Sequence, residues 1–153
     1  MTRILFICHG NICRSPMAEF IMKALVKEAG LEGEFEIASA ATSREEIGNP
    51  LYPPARRTLQ RHGIPMTPHA ARQVTREDYR EYDLLIAMEG YNLRNLRPMV
   101  GSDPEKKVSL LMDYTCRPGD VADPWYTGDF ETAYRDILEG CQGLLRRLRR
   151  SEK

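Results

Sequence analysis

The chain has 153 residues, 22 basic and 22 acidic side chains, and four cysteines. This length is typical of one domain, and the balanced charge argues against nucleic acid or a membrane surface as the main partner. No apolar run approaches the ~20 residues that span a bilayer, no signal peptide is recognisable, and four cysteines are too few for a disulfide scaffold. We expect one cytoplasmic domain over residues 1–153.

The first predicted elements are a strand, a loop and a helix. Residues 3–7 form an apolar run with β-branched and aromatic members, as in a buried strand. Ser15 is predicted to cap the following helix, with Pro16 in its first turn, where the missing N–H costs nothing. Apolar side chains at helical spacing continue until Gly30 ends the helix. The intervening loop therefore lies at a strand–helix junction.

Strands and helices alternate along the rest of the chain. Thr75 and Asp78 match a capping box at the start of one short helix. Alternation of this kind predicts an α/β fold with a parallel sheet. The expected strands are residues 34–40, 83–88 and 106–109, and the expected helices are 53–63, the turn after Thr75, 91–97 and 129–150.

The stretch CHGNICRSP admits three interpretations: a zinc site, a buried turn and an anion-binding loop. Cys8 and Cys13 have a spacing that zinc ligands use, but a closed site needs four ligands and no second Cys/His pair follows. A nucleotide-type phosphate loop needs two glycines and a lysine, whereas only Gly10 is present. A buried turn suits Cys116 and Cys141, since free cysteine is commonly a small core residue. We expect no metal and no organic cofactor.

The anion-binding interpretation explains the neighbours of Cys8. Helix N-termini attract anions through backbone N–H groups and the helix dipole, and Gly10 and Asn11 tolerate the left-handed angles that a curled loop requires. Arg14 offers a planar fork for two oxygens of a phosphate. An electropositive site of this kind favours the thiolate, which is the nucleophilic form of cysteine. The pattern therefore predicts a nucleophilic Cys8 beneath a bound tetrahedral oxyanion.

A proton donor is needed as well, because an alkoxide or phenoxide must leave from phosphorus. Asp123 precedes Pro124, which favours an extended backbone there, and Trp125 and Tyr126 follow as an aromatic wall. Asp-Pro alone is typical of an ordinary turn. Beside the loop it predicts a general acid that later serves as the base for water. Together these features predict hydrolysis of aryl phosphate monoesters, of which phosphotyrosine is the natural one.

The chain resembles the low molecular weight protein tyrosine phosphatases in the stretches CHGNICRSPMAE, SAATSREEIGNP, HGIPM, AARQVTREDY and ADPWYTGDFE. The resemblance implies a single α/β domain with a four-stranded parallel sheet, helices on both faces and a phosphate-binding loop after the first strand. It implies catalysis through a phosphocysteine, with Cys8 as nucleophile, Arg14 as phosphate clamp and Asp123 as general acid. Tyrosine-phosphorylated proteins are the implied partners, and inorganic phosphate and similar oxyanions the implied inhibitors.

The resemblance also implies supporting roles. Ser15 would steady the thiolate as a leaving group, and Asn11 would hold the loop in a strained shape with help from Ser39 and His69. Each has a plainer alternative as a cap, strand or loop residue. Cys13 would trap oxidised Cys8 as a disulfide, with simple packing as the alternative. The remaining implied phosphate-binding residues are His9, Gly10 and Ile12, and the implied pocket wall is Glu45, Trp125 and Tyr126.

Several alternatives remain at this point. Related arsenate reductases use extra cysteines near the middle of the chain, and none lies between Cys13 and Cys116. Related protein arginine phosphatases carry Thr at the position of Ile12, where an apolar residue suits an aryl ester better than a guanidinium. A module that only binds phosphotyrosine would need neither thiol nor acid. The basic RRLRR near the C-terminus also complements a helix dipole, so it does not predict nucleic-acid binding.

Three positions depart from the commoner pattern of the resembled family. His9 stands where an apolar residue is frequent, Glu45 where an aromatic residue often walls the pocket, and Trp125 where tyrosine is usual. These differences leave the predicted reaction intact and bear on the choice of peptide.

Overall fold

A computed structural model describes residues 1–151 as a sheet between two layers of helices. The strands are β1 (Thr2–Cys8), β2 (Phe35–Ala41), β3 (Leu84–Ala87) and β4 (Val108–Leu110). The helices are α1 (Arg14–Glu28), α2 (Pro53–Arg61), α3 (Arg76–Glu81), α4 (Gly90–Val100), α5 (Pro124–Thr127) and α6 (Phe130–Ser151), with 3-10 turns at Glu32–Glu34 and Leu111–Tyr114.

The four strands form a parallel sheet in the order β2-β1-β3-β4. Ile4 of β1 pairs with Ile37 of β2 on one side and with Leu84 of β3 on the other. The chain leaves β1 towards β2 and later returns to the opposite side of β1 as β3. Such a reversal opens a crevice at the carboxyl end of the central strand, and Cys8 is the last residue of that strand.

Alternate side chains of β1 enter two apolar clusters, one on each face of the sheet. Ile4 and Phe6 pack in the cluster that includes side chains of α1, α2 and α6. Leu5 and Ile7 pack in the cluster that includes side chains of α3 and α4. The predicted four-stranded parallel sheet with helices on both faces is therefore confirmed. Because β1 is buried on both faces, its last residue is held firmly in place.

The predicted start of α1 is wrong by two residues. The helix begins at Arg14, its N-cap is Cys13, and no side chain caps it by hydrogen bonding. Ser15 is fully buried inside the first turn, with its hydroxyl 3.0 Å from the sulfur of Cys8. A hydroxyl that faces the sulfur is not available for capping, so the ordinary capping rule fails here.

The predicted last strand is displaced, and one predicted cap is confirmed. Lys106 adopts a left-handed backbone (φ 52°), which no strand tolerates, and β4 begins two residues later. The carboxylate of Asp103 accepts hydrogen bonds from the backbone N–H groups of Lys107 and Val108 and so fixes this turn. The capping box of Thr75 at α3 is present as expected.

The predicted single domain extends to residue 153, and residues 152–153 lie outside the described part of the chain. Within residues 1–151, no helix has the length and apolar character that crossing a membrane requires.

Close packing between α6 and the 3-10 turn at Leu111–Tyr114 depends on Gly143. A Cβ atom placed on Gly143 would collide with the backbone carbonyl oxygen of Tyr114. We expect Gly143→Ala to lower the free energy of unfolding by about 2 kcal/mol, as overpacking does, although alanine has the higher helix propensity by about 1 kcal/mol. Urea unfolding measures the change.

Gly33→Ala provides the matched control, because a Cβ at Gly33 meets no atom within 4 Å. We expect that control to keep its stability. Equal stability of the two variants would show that α6 does not need this contact.

Candidate active site

The connection from β1 to α1 forms the floor of a cavity of about 660 Å³ at the carboxyl edge of the sheet. Cys8 ends the strand and Arg14 begins the helix, so both ends of the connection are anchored in buried elements. The residues around this cavity are Cys8, His9, Gly10, Ile12, Cys13, Arg14, Glu45, Glu46, Glu89, Tyr91, Asp123, Trp125 and Tyr126.

Asn11 makes the sharp turn of the loop with a left-handed backbone (φ 60°). For residues other than glycine this conformation costs up to roughly 1–2 kcal/mol, and asparagine is among those that adopt it most readily. Its backbone N–H donates to the sulfur of Cys8 at 3.3 Å, and its carbonyl oxygen accepts from Nε2 of His69 at 2.7 Å. A carbonyl only accepts, so the proton of His69 lies on Nε2. These bonds hold the strained turn.

The side chain of Asn11 is fully buried and ties the loop to three other segments. Its Oδ1 accepts from the backbone N–H of Arg72 at 3.1 Å. Its Nδ2 donates to Oγ of Ser15 and to Oγ of Ser39, both at 2.9 Å. Ser15, Ser39, His69 and Asn11 are thus joined by hydrogen bonds and are not among the residues that line the cavity.

Gly10 does not adopt the left-handed backbone that we expected of it. Within the loop between Cys8 and Arg14, Asn11 is the residue with a positive φ, because one such residue completes the turn. Glycine at position 10 leaves room for the side chain of Glu46. A Cβ atom there would lie 3.3 Å from Cγ of Glu46, which is tighter than ordinary contact.

The guanidinium of Arg14 is buried and held by three groups. Its Nη2 donates to Oε1 of Glu89 at 3.0 Å and lies 3.5 Å from Oδ2 of Asp123, and its Nη1 donates to the carbonyl oxygen of Val121 at 3.1 Å. Burial alone lowers the pKa of Arg14, but the hydrogen bond with Glu89 and the charges of Cys8, Glu89 and Asp123 outweigh it and raise that pKa. The site thus holds a fixed, permanently charged cation.

Asp123 reaches the same cavity from the other side of the sheet edge. Its backbone is extended, as expected for a residue before proline. Oδ1 accepts from the backbone N–H of Trp125 at 3.0 Å, and Oδ2 faces Arg14. The ring of Trp125 lies 5.1 Å from that of Tyr52, which supports the aromatic wall beside the carboxylate.

Polar and aromatic side chains form the cavity mouth. Nε2 of His9 lies 2.8 Å from Oε2 of Glu45, and this contact joins the loop between β1 and α1 to the segment after β2. The imidazole of His9 also lies 6.3 Å from the ring of Tyr91. Trp125 is 55% exposed and Tyr126 is 85% exposed. The mouth is therefore open, with aromatic faces available to a ligand.

Cys13 is a buried neighbour of the loop that stays protonated at neutral pH. Burial first, and then the charge of Cys8, raise the pKa of the Cys13 thiol to about 12, against the lowering effect of Arg14. The thiol is therefore a poor nucleophile while the neighbouring sulfur is charged.

Sequence reasoning missed several residues of this site, among them Glu46 at the cavity wall. Glu89 lies two residues after the end of β3, and the carboxyl ends of parallel strands meet at one edge, so that rule would have pointed to it. Tyr91 lies two residues further, in the first turn of α4, and shares that signal. Arg72, whose backbone N–H orients Asn11, lies in a loop with no pattern that predicts its position.

Cysteine, arginine and aspartate side chains lie around one cavity at the carboxyl edge of a parallel sheet. This arrangement defines a class of small α/β proteins with a thiol at the floor of an anion-binding loop. The sequence profile of one such family, the low molecular weight phosphotyrosine protein phosphatases, matches residues 3–153. The chain belongs to this family, which confirms the resemblance in its motifs.

Known relatives match over nearly the whole length. The low molecular weight protein-tyrosine-phosphatase YfkJ of Bacillus subtilis is 39% identical over 155 residues, covering 100% of this chain and 99% of that protein. The low molecular weight phosphotyrosine protein phosphatase of Homo sapiens is 39% identical over 147 residues, covering 93% and 92%.

Solved structures agree with the fold. The crystal structure of YfkJ superposes with a TM-score of 0.95 at 39% identity, covering 100% of this chain and 98% of that one. The crystal structure of DARP, a drosophila arginine phosphatase, superposes with a TM-score of 0.87 at 32% identity, covering 97% and 98%.

Proposed function

We propose that the chain is a phosphoric monoester hydrolase that dephosphorylates phosphotyrosine in proteins through a phosphocysteine intermediate. The observation that carries the proposal is the convergence of Cys8, Arg14 and Asp123 on one cavity. The sulfur accepts a hydrogen bond from the backbone N–H of Asn11 and lies within hydrogen-bond distance of the Ser15 hydroxyl. Such donors favour the thiolate, which is the attacking form.

In the first step the phosphate group of the substrate enters the loop above Cys8. Arg14 binds two of its oxygens, so that the anion takes over part of the charge that Arg14 now shares with Asp123. The sulfur attacks phosphorus and forms the S–P bond while the bond from phosphorus to the phenolic oxygen breaks. Protonated Asp123 gives its proton to that oxygen, and the tyrosine leaves as the neutral phenol.

In the second step water attacks the phosphocysteine. Asp123 takes a proton from the water, the S–P bond breaks, and Cys8 departs as the thiolate. The hydroxyl of Ser15, 3.0 Å from the sulfur, supports the charge that returns there. Inorganic phosphate is the product, and it and similar oxyanions should inhibit, because they occupy the same loop.

The preference for an aryl ester rests on the cavity walls. Ile12 places an apolar side chain in the lining, and Trp125 and Tyr126 present aromatic faces at the mouth. These groups suit the ring of phosphotyrosine, which needs a deep and partly apolar pocket.

Phosphoarginine is the second candidate substrate, because one similar solved structure is that of an arginine phosphatase. A guanidinium leaving group is polar and cationic, and Ile12 offers it no hydrogen-bond acceptor. The tyrosine substrate is therefore the better fit.

The function is tested by side-by-side turnover of phosphotyrosine, phosphoserine and phosphoarginine peptides of one sequence, followed by phosphate release. We expect phosphotyrosine to be hydrolysed fastest. Cys8→Ser should reduce kcat by about 10³-fold or more, because the nucleophile is lost. Turnover that survives this substitution would exclude the phosphocysteine, and fastest release from phosphoarginine would favour the second candidate.

The role of Asp123 is tested through the leaving group. We expect Asp123→Ala to slow hydrolysis of phenyl phosphate by roughly 10²–10³-fold, the usual worth of proton transfer. p-Nitrophenyl phosphate should lose much less, because its leaving group needs little protonation. The measurement is kcat for both esters in both proteins. Equal losses for the two esters would contradict the assignment of Asp123 as general acid.

Reversible oxidation is tested through Cys13. Hydrogen peroxide converts the Cys8 thiolate to a sulfenic acid, which removes the charge that helps to raise the pKa of Cys13. The Cys13 sulfur can then displace water to form a disulfide, which dithiothreitol reduces. We expect Cys13→Ser to recover much less activity after peroxide and dithiothreitol than the unmodified enzyme does.

Cys116→Ser is the control for this experiment, because Cys116 is exposed and does not line the cavity. It should recover fully. Full recovery by Cys13→Ser as well would exclude the protective role.

A mechanism that requires a reduced thiol fits the cytoplasm.

A further inference from the structure

A chain of hydrogen bonds runs from the sulfur of Cys8 through the region behind the loop and ends on Glu19, a residue of α1. Ser15 Oγ lies 3.0 Å from that sulfur, and Asn11 Nδ2 lies 2.9 Å from both Ser15 Oγ and Ser39 Oγ. Ser39 Oγ donates to Oε1 of Glu19 at 2.6 Å. Glu19 therefore lies four hydrogen bonds from the sulfur and outside the cavity lining.

We propose that Glu19 is a positioning residue for the phosphatase reaction. Its carboxylate accepts the proton of the Ser39 hydroxyl, so that the oxygen of Ser39 can accept a hydrogen bond from Asn11. In this way Glu19 maintains the hydrogen bond that Ser15 donates to Cys8. The inference rests on the function proposed above. It adds a residue of α1 that neither touches substrate nor lines the cavity.

The outer end of this chain of hydrogen bonds is fixed by which of its groups can donate a proton. Lys23 only donates, and its Nζ lies 2.6 Å from Oε2 of Glu19. The carboxylate of Glu19 only accepts, so the single proton of the Ser39 hydroxyl points at Oε1. The lone pairs of Ser39 Oγ are then left for the Nδ2 group of Asn11.

The inner end of the chain of hydrogen bonds follows from the same count of donors and acceptors. The backbone N–H of Arg72 must face Oδ1 of Asn11, so both Nδ2 protons point away from Arg72, towards Ser39 and Ser15. Ser15 Oγ accepts one of them and has a single proton left. That proton has the Cys8 sulfur at 3.0 Å and the carbonyl oxygen of Ala40 at 3.5 Å. The closer acceptor is the sulfur, so Ser15 is the donor in this pair.

Glu19 is needed because a hydroxyl without an acceptor rotates. If the carboxylate is removed, the proton of Ser39 is free to point at Nδ2 of Asn11, donor against donor, and the amide loses one of the two groups that hold it. Asn11 carries the left-handed turn of the loop, so its loosening reaches both hydrogen bonds to Cys8. Glu19 itself is well shielded, with its side chain 12% exposed, whereas Lys23 is 41% exposed.

The test compares three variants on the same face of α1. Glu19→Met keeps the length and apolar stem of the side chain but removes the acceptor. Glu19→Gln keeps an amide oxygen that can accept from Ser39. Lys23→Gln breaks the same ion pair and leaves the bond between Glu19 and Ser39 intact, so it controls for helix and surface effects.

The readouts are the rate of iodoacetate alkylation of Cys8 across pH, followed by mass spectrometry, and kcat with p-nitrophenyl phosphate. We expect Glu19→Met to slow alkylation at neutral pH by about fivefold, the size of effect that a typical hydrogen bond has, and to move the alkylation profile to higher pH. Glu19→Gln and Lys23→Gln should stay within about twofold of the unmodified protein.

A double-mutant cycle keeps the test decisive if packing also changes. In a Ser39→Ala background, Glu19→Met should cause no further loss, because the link is already broken. An unchanged alkylation profile in Glu19→Met, equal losses in Glu19→Met and Lys23→Gln, or additive losses in the double variant would each overturn the proposal. Failure of the proposed function would look different: the unmodified protein would alkylate at Cys8 yet not hydrolyse p-nitrophenyl phosphate.

Discussion

The hydrogen bonds of Asn11 are the interactions on which the site depends. A single residue in the left-handed region turns the chain between β1 and α1, and its backbone and side chain bind five partners from four parts of the sequence. Without these bonds the turn would relax, since nothing in the backbone favours it. The sulfur of Cys8 receives its N–H donor only because the turn is held, so the electrostatics of the site follow from one strained residue.

The fold was largely predictable because its signals are local. The buried run of β1, the alternation of strands and helices and the capping box of Thr75 all reflect rules that act over a few residues. The failures occur where long-range contacts decide. Ser15 carries a capping side chain, yet its hydroxyl faces Cys8, and the start of β4 is set by the carboxylate of Asp103.

The same distinction applies to the site. Cys8 and Arg14 were predictable because one short loop supplies both, and Asp123 because proline and an aromatic pair mark it. Glu19 and Arg72 were not predictable, because their hydrogen bonds to Ser39 and Asn11 form only once the sheet brings these segments together. Cys8, Arg14 and Asp123 carry local signals in the sequence, whereas Glu19 and Arg72 are found by following hydrogen bonds outward from Asn11.

The charges of the site bear on the proposed role of Asp123 as general acid. In the free protein Arg14 lies between two carboxylates, Glu89 at 3.0 Å and Asp123 at 3.5 Å. Glu89 is the closer partner of the guanidinium, and Asp123 is the more distant one. In the proposed reaction a bound phosphate dianion competes with the more distant carboxylate, Asp123, for Arg14. The same geometry would place Asp123 beside both the departing phenol and the water of the second step, as the proposed function requires.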